Sequence, residues 1–241
     1  MIQIKLNAID STNDYLKHNS NLDGLPNFTV VTAEEQTHGR GQRGSNWVSE
    51  PGKNLLVSVL VRDFYQSTVA PFELIIAVSV SIHEALLQLA VPDLAIKWPN
   101  DIMSGNKKIG GILIENIHKS DKRILSIIGF GLNVNQIQFD QQPKASSLRL
   151  ICKQEFDKQL VLEKIISALE TKLSNWNEFR VKSILDYQNA LFKKGIVANF
   201  TSQYSSFAGT ITGVDLDGRL QITNEFNQKM SFDLKEIQLV F

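Results

Sequence analysis

Apolar residues gather in five short runs along the first half of the chain: FTVVTA (28–33), NLLVSVLV (54–61), LAIKW (94–98), KIGGILIENI (108–117) and RILSIIGFGLNV (123–134). Several are apolar at successive positions and rich in Val and Ile, the pattern of central strands covered on both faces. Between them, FELIIAVSVSIHEALLQLA (72–90) repeats its apolar residues every three or four positions and predicts a buried helix. A second helix is expected near 155–179, where Phe156, Leu160, Ile165, Ile166, Leu169, Leu173, Trp176 and Phe179 fall on one face. SILDYQNALF (183–192) reads as a third. DSTND (10–14) puts a capping residue, Asp10 or Ser11, ahead of the helical TNDYLK.

After Gly195 the pattern shortens. Runs at 196–200, 209–214, 219–223, 229–234 and 237–241 alternate over a few residues each, with DLDG (215–218) and NEFNQ (224–228) as turns. Such closely spaced short strands predict a small β-barrel attached to a larger α/β domain. The expected division is 1–192 and 193–241.

Composition narrows the partners. The 241 residues suit one large domain with a small appendage, and 43% hydrophobic with 21% charged residues is globular usage. Lys+Arg and Asp+Glu both count 25, so no overall charge draws the chain to nucleic acid or anionic lipid. Cys152 is the single cysteine, which excludes an intramolecular disulfide and reads as a half-buried structural thiol. The four histidines are scattered without ligand spacing. The N-terminus has no apolar signal region and no apolar run nears the ~20 residues of a membrane span, so a soluble, cytoplasmic protein is expected.

Candidate chemistry begins at THGRGQRGSNW (37–47), where Gly39, Gly41 and Gly44 spell a dinucleotide fingerprint. That fingerprint needs a strand directly before it and a helix opening within it. Here AEEQTH intervenes and SNWVSEPGKN leads into another strand; a Walker loop would need Lys where Ser45 stands. What remains is a strand-to-strand loop carrying Arg40 and Arg43, open equally to a solvated loop and to an anion cradle. KWPNDI (97–102) ends a strand in Asn100 and Asp101, which is turn chemistry or a carboxylate–amide pair suited to Mg²⁺ or ribose. In KKIGGILIE (107–115), Lys108 opens a strand thinned by Gly110 and Gly111, and GFGLNVN (129–135) repeats the device before Asn133. Two glycine-thinned strands side by side would make a flat floor for a ligand, overhung by Lys108.

Taken in order, DSTN (10–13), GRGxxGxxW (39–47), KWPND (97–101), KxGGILxE (108–115) and GxGxNV (129–134) resemble the biotin–protein ligase (biotin–[acetyl-CoA-carboxylase] ligase) family. The likeness covers nearly the whole chain, including a G-x-D-x-DG-x-L turn at 213–220. It implies an α/β (α+β) catalytic domain related to class II tRNA synthetases, a mixed β-sheet flanked by helices, followed by a small SH3-like β-barrel. It implies two steps: biotin and MgATP give biotinyl-5′-AMP and pyrophosphate, then the ε-amine of a lysine on a biotin carboxyl carrier protein takes the biotinyl group. ATP and Mg²⁺ are the cofactors, and a homodimer is compatible with it. Because DSTN starts ten residues in, no operator-binding helix-turn-helix domain and no DNA partner are expected.

Carried over by position, Ser11, Thr12, Asn13 and Gln36 would hold biotin, with Gly39, Arg40, Gly41 and Gln42 folding over it and Lys108, Gly111 and Gly129 beneath. Arg43, Trp47, Asn100, Asp101, Lys108 and Asn133 would serve ATP, with Asp101 on the metal. Lys108, Arg40 and Asp101 would be catalytic. The chain departs from the better-known loop at Gln42 and Ser45, where arginines are usual, which implies weaker retention of the adenylate unless Lys53 or Arg43 compensates. A lipoate–protein ligase would carry an RRxSGGGxVxHD-type loop, which is absent. A non-catalytic nucleic-acid module would need a basic stripe, which the balanced charge does not provide.

Overall fold

The first sheet is built from β1 (Gln3–Ile9), β2 (Val30–Gln36), β3 (Leu55–Arg62), β4 (Leu94–Lys97), β5 (Asp101–Ser104), β6 (Lys107–His118) and β7 (Ile124–Leu132) in a computed structural model. It describes residues 2–19, 22–62, 64–65, 69–140, 142–202, 205–234 and 236–240, without the Arg43 side chain. Strand order is β1-β2-β3-β7-β6-β5-β4, parallel between β1 and β2 and antiparallel elsewhere, so the sheet is mixed. The five predicted strands all form. Two more were not legible as strands: β1 is an edge strand with polar and apolar residues mixed, and β5 is four residues long and begins inside the Pro-Asn-Asp turn.

The helices are α1 (Thr12–Lys17), α2 (Pro71–Gln88), α3 (Leu148–Cys152), α4 (Lys158–Ser174) and α5 (Trp176–Asn189). Ser11, not Asp10, caps α1, its hydroxyl accepting from the Asp14 N–H at 3.4 Å. α2 is long and apolar enough by composition to cross a membrane, yet 67% of it is buried against the sheet and α4. The helix expected over 155–179 breaks at Asn175, which leaves helical geometry (φ −123°, ψ 37°) while its amide donates to the Thr171 carbonyl at 3.0 Å. A side chain that bonds its own backbone competes with helix continuation. Restarting the chain there brings Trp176 and Arg180 to the buried Glu73, whose carboxylate takes Trp176 Nε1 at 2.9 Å and Arg180 Nε and Nη2 at 2.7 Å each. Burial alone would raise the Glu73 carboxyl; Arg180, the Ala70 N–H and Trp176 hold it below its ordinary value. A buried charge is tolerable only with such pairing.

The second sheet is antiparallel, ordered β11 (Lys229–Phe232), β10 (Leu220–Asn224), β9 (Ser206–Val214), β8 (Val197–Ser202), β12 (Ile237–Val240). All five predicted runs are present; Phe241, which closes the last, lies outside the described residues. Its inner residues Phe200, Ile211, Val214, Leu220 and Ile222 join the core that α2 makes with the first sheet. The joint is specific: Trp98 Nε1 donates to the Gly218 carbonyl at 2.9 Å, and Gly218 lies against the Phe72 ring at the start of α2. Gly218 has φ +87°, and a Cβ there would fall inside the Phe72 ring's van der Waals surface. Gly218→Ala combines strain and overpacking, each worth roughly 1–3 kcal/mol. Urea unfolding is expected to show a loss of at least about 2 kcal/mol; a loss under about 0.5 kcal/mol would contradict the joint.

Candidate active site

Strand parity decides which residues share a surface, because successive side chains point to opposite faces. On β3, Val57 and Val59 pack into the core with α2, so Leu56, Ser58 and Leu60 face the other way, toward α1. On β7 the same α1-facing side carries Ile127, Gly129 and Gly131; on β6 it carries Gly111, Leu113, Glu115 and Ile117. Register aligns Leu56, Gly131, Gly111 and Asp101 in one row across four strands, and Ser58, Gly129 and Leu113 in the next. Lys108 would fall on the core face by simple counting. A bulge between Ile102 and Met103 leaves Ile109 as the extra residue, buried in the core, and turns Lys108 back toward the row.

Over this surface, beneath the second sheet, opens a cavity of about 690 Å³. Ser11, Thr12, Asn13 and Gln36 line it at one end, Arg40, Gly41, Gln42 and Trp47 come from the glycine loop, Asn100 from the turn before β5, and Asp101, Lys108, Gly111 and Gly129 from the sheet. Gly39 and Asn133 do not reach its wall, and the Arg43 side chain lies outside the described residues. Gly39 has no room for a Cβ, which would lie 2.5 Å from the Trp47 carbonyl oxygen, so its contribution is close backbone packing. Asn133 is buried, its Nδ2 donating to the Ser146 carbonyl at 3.0 Å. It thereby steadies the segment that clamps the Lys108 backbone, where the Lys108 N–H meets the Lys144 carbonyl at 2.8 Å and its carbonyl accepts from Ser146 at 3.0 Å.

The end formed by α1 is a closed polar network. Gln36 Oε1 accepts from the Thr12 N–H at 2.8 Å and from its hydroxyl at 3.0 Å. Ser58 Oγ sits 2.7 Å from Thr12 Oγ1 and 2.5 Å from Asn13 Oδ1, and Asn13 Nδ2 donates to Glu115 Oε2 at 2.9 Å. Buried polar groups linked this way hold fixed orientations. The charged end centres on Asp101, whose carboxylate is 2.6 Å from Lys108 Nζ and 3.7 Å from Lys97 Nζ. Burial pushes the Lys97 ammonium below its ordinary pKa, with Asp101 opposing and Lys108 adding to the fall. Asn100 is tied inward, its Nδ2 donating to the Ile112 carbonyl at 2.5 Å.

The loop is a small hairpin, closed by the Trp47 N–H on the Gly39 carbonyl at 2.8 Å and the Gly41 N–H on the Ser45 carbonyl at 2.7 Å. Its tryptophan corrects one expectation. The glycine floor is not bare: the Trp47 indole lies on Gly131 and Gly111, and the Asn13 amide lies on Gly129. Lys108 Nζ stands 5.7 Å from the indole centroid. Trp47 Nε1 is buried without a partner among the described residues. Two contributors were given no role from the sequence, Ser58 and Glu115, although Glu115 closes the KxGGILxE motif. Their signal was parity: Ser58 stands between Leu56 and Leu60, and Glu115 between Leu113 and Ile117, on the same face as the glycines.

No group of three or more His, Cys, Asp or Glu side chains suited to a metal occurs among the described residues. The cavity offers instead a polar end, a flat aromatic-covered middle, and two cations, Lys108 and Arg40, from different elements. Fixed cations on two sides suit a ligand with anionic groups.

The profile of the Biotin/lipoate A/B protein ligase family matches residues 6–133. The chain belongs to this family. Among family members, the "Bifunctional ligase/repressor BirA" of Bacillus subtilis (strain 168) is 30% identical over 217 residues, 86% of this chain and 66% of that protein. The "Biotin--[acetyl-CoA-carboxylase] ligase" of Mycobacterium tuberculosis is 28% identical over 172 residues, 70% of this chain and 61% of that protein. The chain thus spans just under two thirds of the length of these two relatives. A structure of the biotin protein ligase from Aquifex aeolicus in complex with biotin and ATP superposes with a TM-score of 0.80 at 25% identity, covering 99% of this chain and 98% of that one.

The ligase-family cavity yields one direct structural prediction. A Cβ at position 131 would overlap the indole, so Gly131→Ala is expected to dislodge Trp47 while Trp98 and Trp176 keep their hydrogen bonds. Tryptophan emission should shift to the red and become more accessible to acrylamide. Unchanged emission would contradict the stacking.

Proposed function

We propose that this chain is an ATP-dependent biotin–protein ligase, which activates biotin as biotinyl-5′-AMP and transfers the biotinyl group to a lysine of a biotin carboxyl carrier protein. The observation that carries this is the pairing of one polar end with two fixed cations in a single cavity. The full-length likeness to a ligase structure holding biotin and ATP supports it. Residues 1–192 would supply the chemistry and 193–241 the wall facing them.

In the first step a biotin carboxylate oxygen attacks the α-phosphorus of ATP, a P–O bond forms and pyrophosphate leaves. An anion meets an anion, and the charge grows on the pentavalent phosphorus. Lys108, held on β6 by Asp101, and Arg40, on the loop, would neutralise it from two sides, the preorganised electrostatic stabilisation that most lowers such barriers. Magnesium would arrive on the phosphates. One protein carboxylate, Asp101, is adequate for an ion that keeps several waters and phosphate oxygens. In the second step the carrier's lysine amine attacks the acyl carbonyl and AMP leaves. No protein nucleophile is required.

Biotin is favoured over lipoate by the network at α1. A ureido ring offers two N–H donors and a carbonyl to Thr12, Asn13 and Gln36, whereas a dithiolane offers none, and sites built for hydrogen bonds reject ligands lacking them. A cytoplasmic location, where ATP and carrier proteins meet, belongs to the same proposal. A nucleic-acid partner does not, since 25 basic and 25 acidic residues leave no excess.

Pyrophosphate release should therefore depend on biotin and not on lipoate. Lys108→Ala should slow it by ~10²-fold or more, the share typical of one preorganised donor. A folded Lys108→Ala protein with full activity would refute the site assignment.

A further inference from the structure

Among the described residues, the side-chain hydrogen bonds and ion pairs of Arg40 all run through one corner of its guanidinium. Its Nη2 lies 2.5 Å from Asp14 Oδ1 and 3.2 Å from Glu115 Oε2. Asp14 belongs to α1 and Glu115 to β6, so the loop is fastened to both a helix and the sheet. Arginine carries five donors in a rigid fork, and Arg40 lines the cavity while Asp14 and Glu115 do not. Anchoring one corner from behind leaves the rest of the fork for a ligand.

Glu115 is itself held from three directions. Oε2 also accepts from Asn13 Nδ2 at 2.9 Å, and Oε1 accepts from Lys17 Nζ at 3.1 Å. Its side chain is only 19% exposed. Burial by itself would raise this carboxyl; the hydrogen bonds from Asn13 and Lys17, then the charges of Arg40 and Lys17, hold it below its ordinary value. Two cations and two carboxylates make the cluster neutral, so an incoming anion meets an aimed guanidinium and not a local excess of negative charge.

We infer that Glu115 is a positioning residue, which acts through Arg40 and sets the direction in which the loop guanidinium meets the anionic part of the ligand. Asn13 reaches the same carboxylate, so the polar end of the cavity and the loop cation share one fixed point. The inference rests on the biotin-adenylating reaction proposed above. A different role for the same contacts is parking: the carboxylates would hold Arg40 away from the ligand, and removing one would help binding. The two make opposite predictions.

The test is a double-mutant cycle on biotin-dependent pyrophosphate release, with Glu115→Gln, Arg40→Ala and both together, each checked for folding by thermal melting. Gln keeps an acceptor for Asn13 and removes the charge that holds Arg40. Glu115→Gln is expected to lower kcat/KM for biotin by about 10-fold, mainly through KM, since coupling energies of this kind are worth roughly 5–150-fold. In the Arg40→Ala background the same change should add less than about 2-fold. Equal losses in both backgrounds would show that Glu115 acts independently of Arg40 and overturn the inference, as would no loss or a gain in the single variant. If Glu115→Gln does not fold, Glu115→Asp takes its place in the cycle; it keeps the charge but shortens the reach, and the same outcomes decide. A wild-type protein that releases no pyrophosphate with biotin would refute the proposed function instead, so the two failures are distinguishable.

Discussion

The contact between Lys108 and Asp101, 2.6 Å long, fixes where positive charge sits in the cavity. Each partner depends on a separate device. Asp101 is placed by β5, whose register puts it beside Gly111. Lys108 is placed by the bulge at Ile109 and by the backbone clamp from 144–146 that Asn133 steadies. In the proposed reaction this pair is the fixed half of a two-sided electrostatic frame. Arg40 is the half carried by a loop, and its carboxylate partners lend it the rigidity that a loop lacks.

Around that frame the sheet supplies space and the second sheet supplies enclosure. Gly111, Gly129 and Gly131 remove side chains from one face of β6 and β7, and Trp47 and Asn13 lie in the resulting hollow. The contact of Gly218 with Trp98 and Phe72 joins the second sheet to the same KWPND turn that presents Asn100 and Asp101. A change in the position of the second sheet would therefore reach the charged end of the cavity through Trp98. The indole N–H of Trp47, buried without a partner among the described residues, marks the part of the cavity where a ligand acceptor would be most rewarded.

Much of this was legible in the chain. Long apolar runs such as β3 and β7 announced themselves because both faces are buried, and α2 because its period is regular. β1 was not, being an edge strand with mixed polarity, and β5 was hidden inside a turn motif. The break at Asn175 depends on a single side chain bonding its own backbone, which periodicity does not register. Site residues followed the same division. Motif positions such as Thr12, Gln36, Arg40 and Asp101 do converge on one cavity, whereas Asn133, read as a ligand contact, is buried behind it. Parity puts Ser58 and Glu115 on the glycine face, but their partners Thr12 and Asn13 lie over 40 residues away in sequence on α1, and only the packing of α1 on the sheet brings them together.

The central claim is that one cavity both activates a biotin carboxylate and hands it to a protein amine. The direct test is incubation of the protein with biotin, MgATP and a biotin carboxyl carrier domain, followed by intact mass measurement of the carrier. The account predicts a gain of one biotinyl group on a single lysine, dependent on ATP and absent when lipoate replaces biotin. An unmodified carrier in the presence of a folded protein, or modification by lipoate, would contradict it.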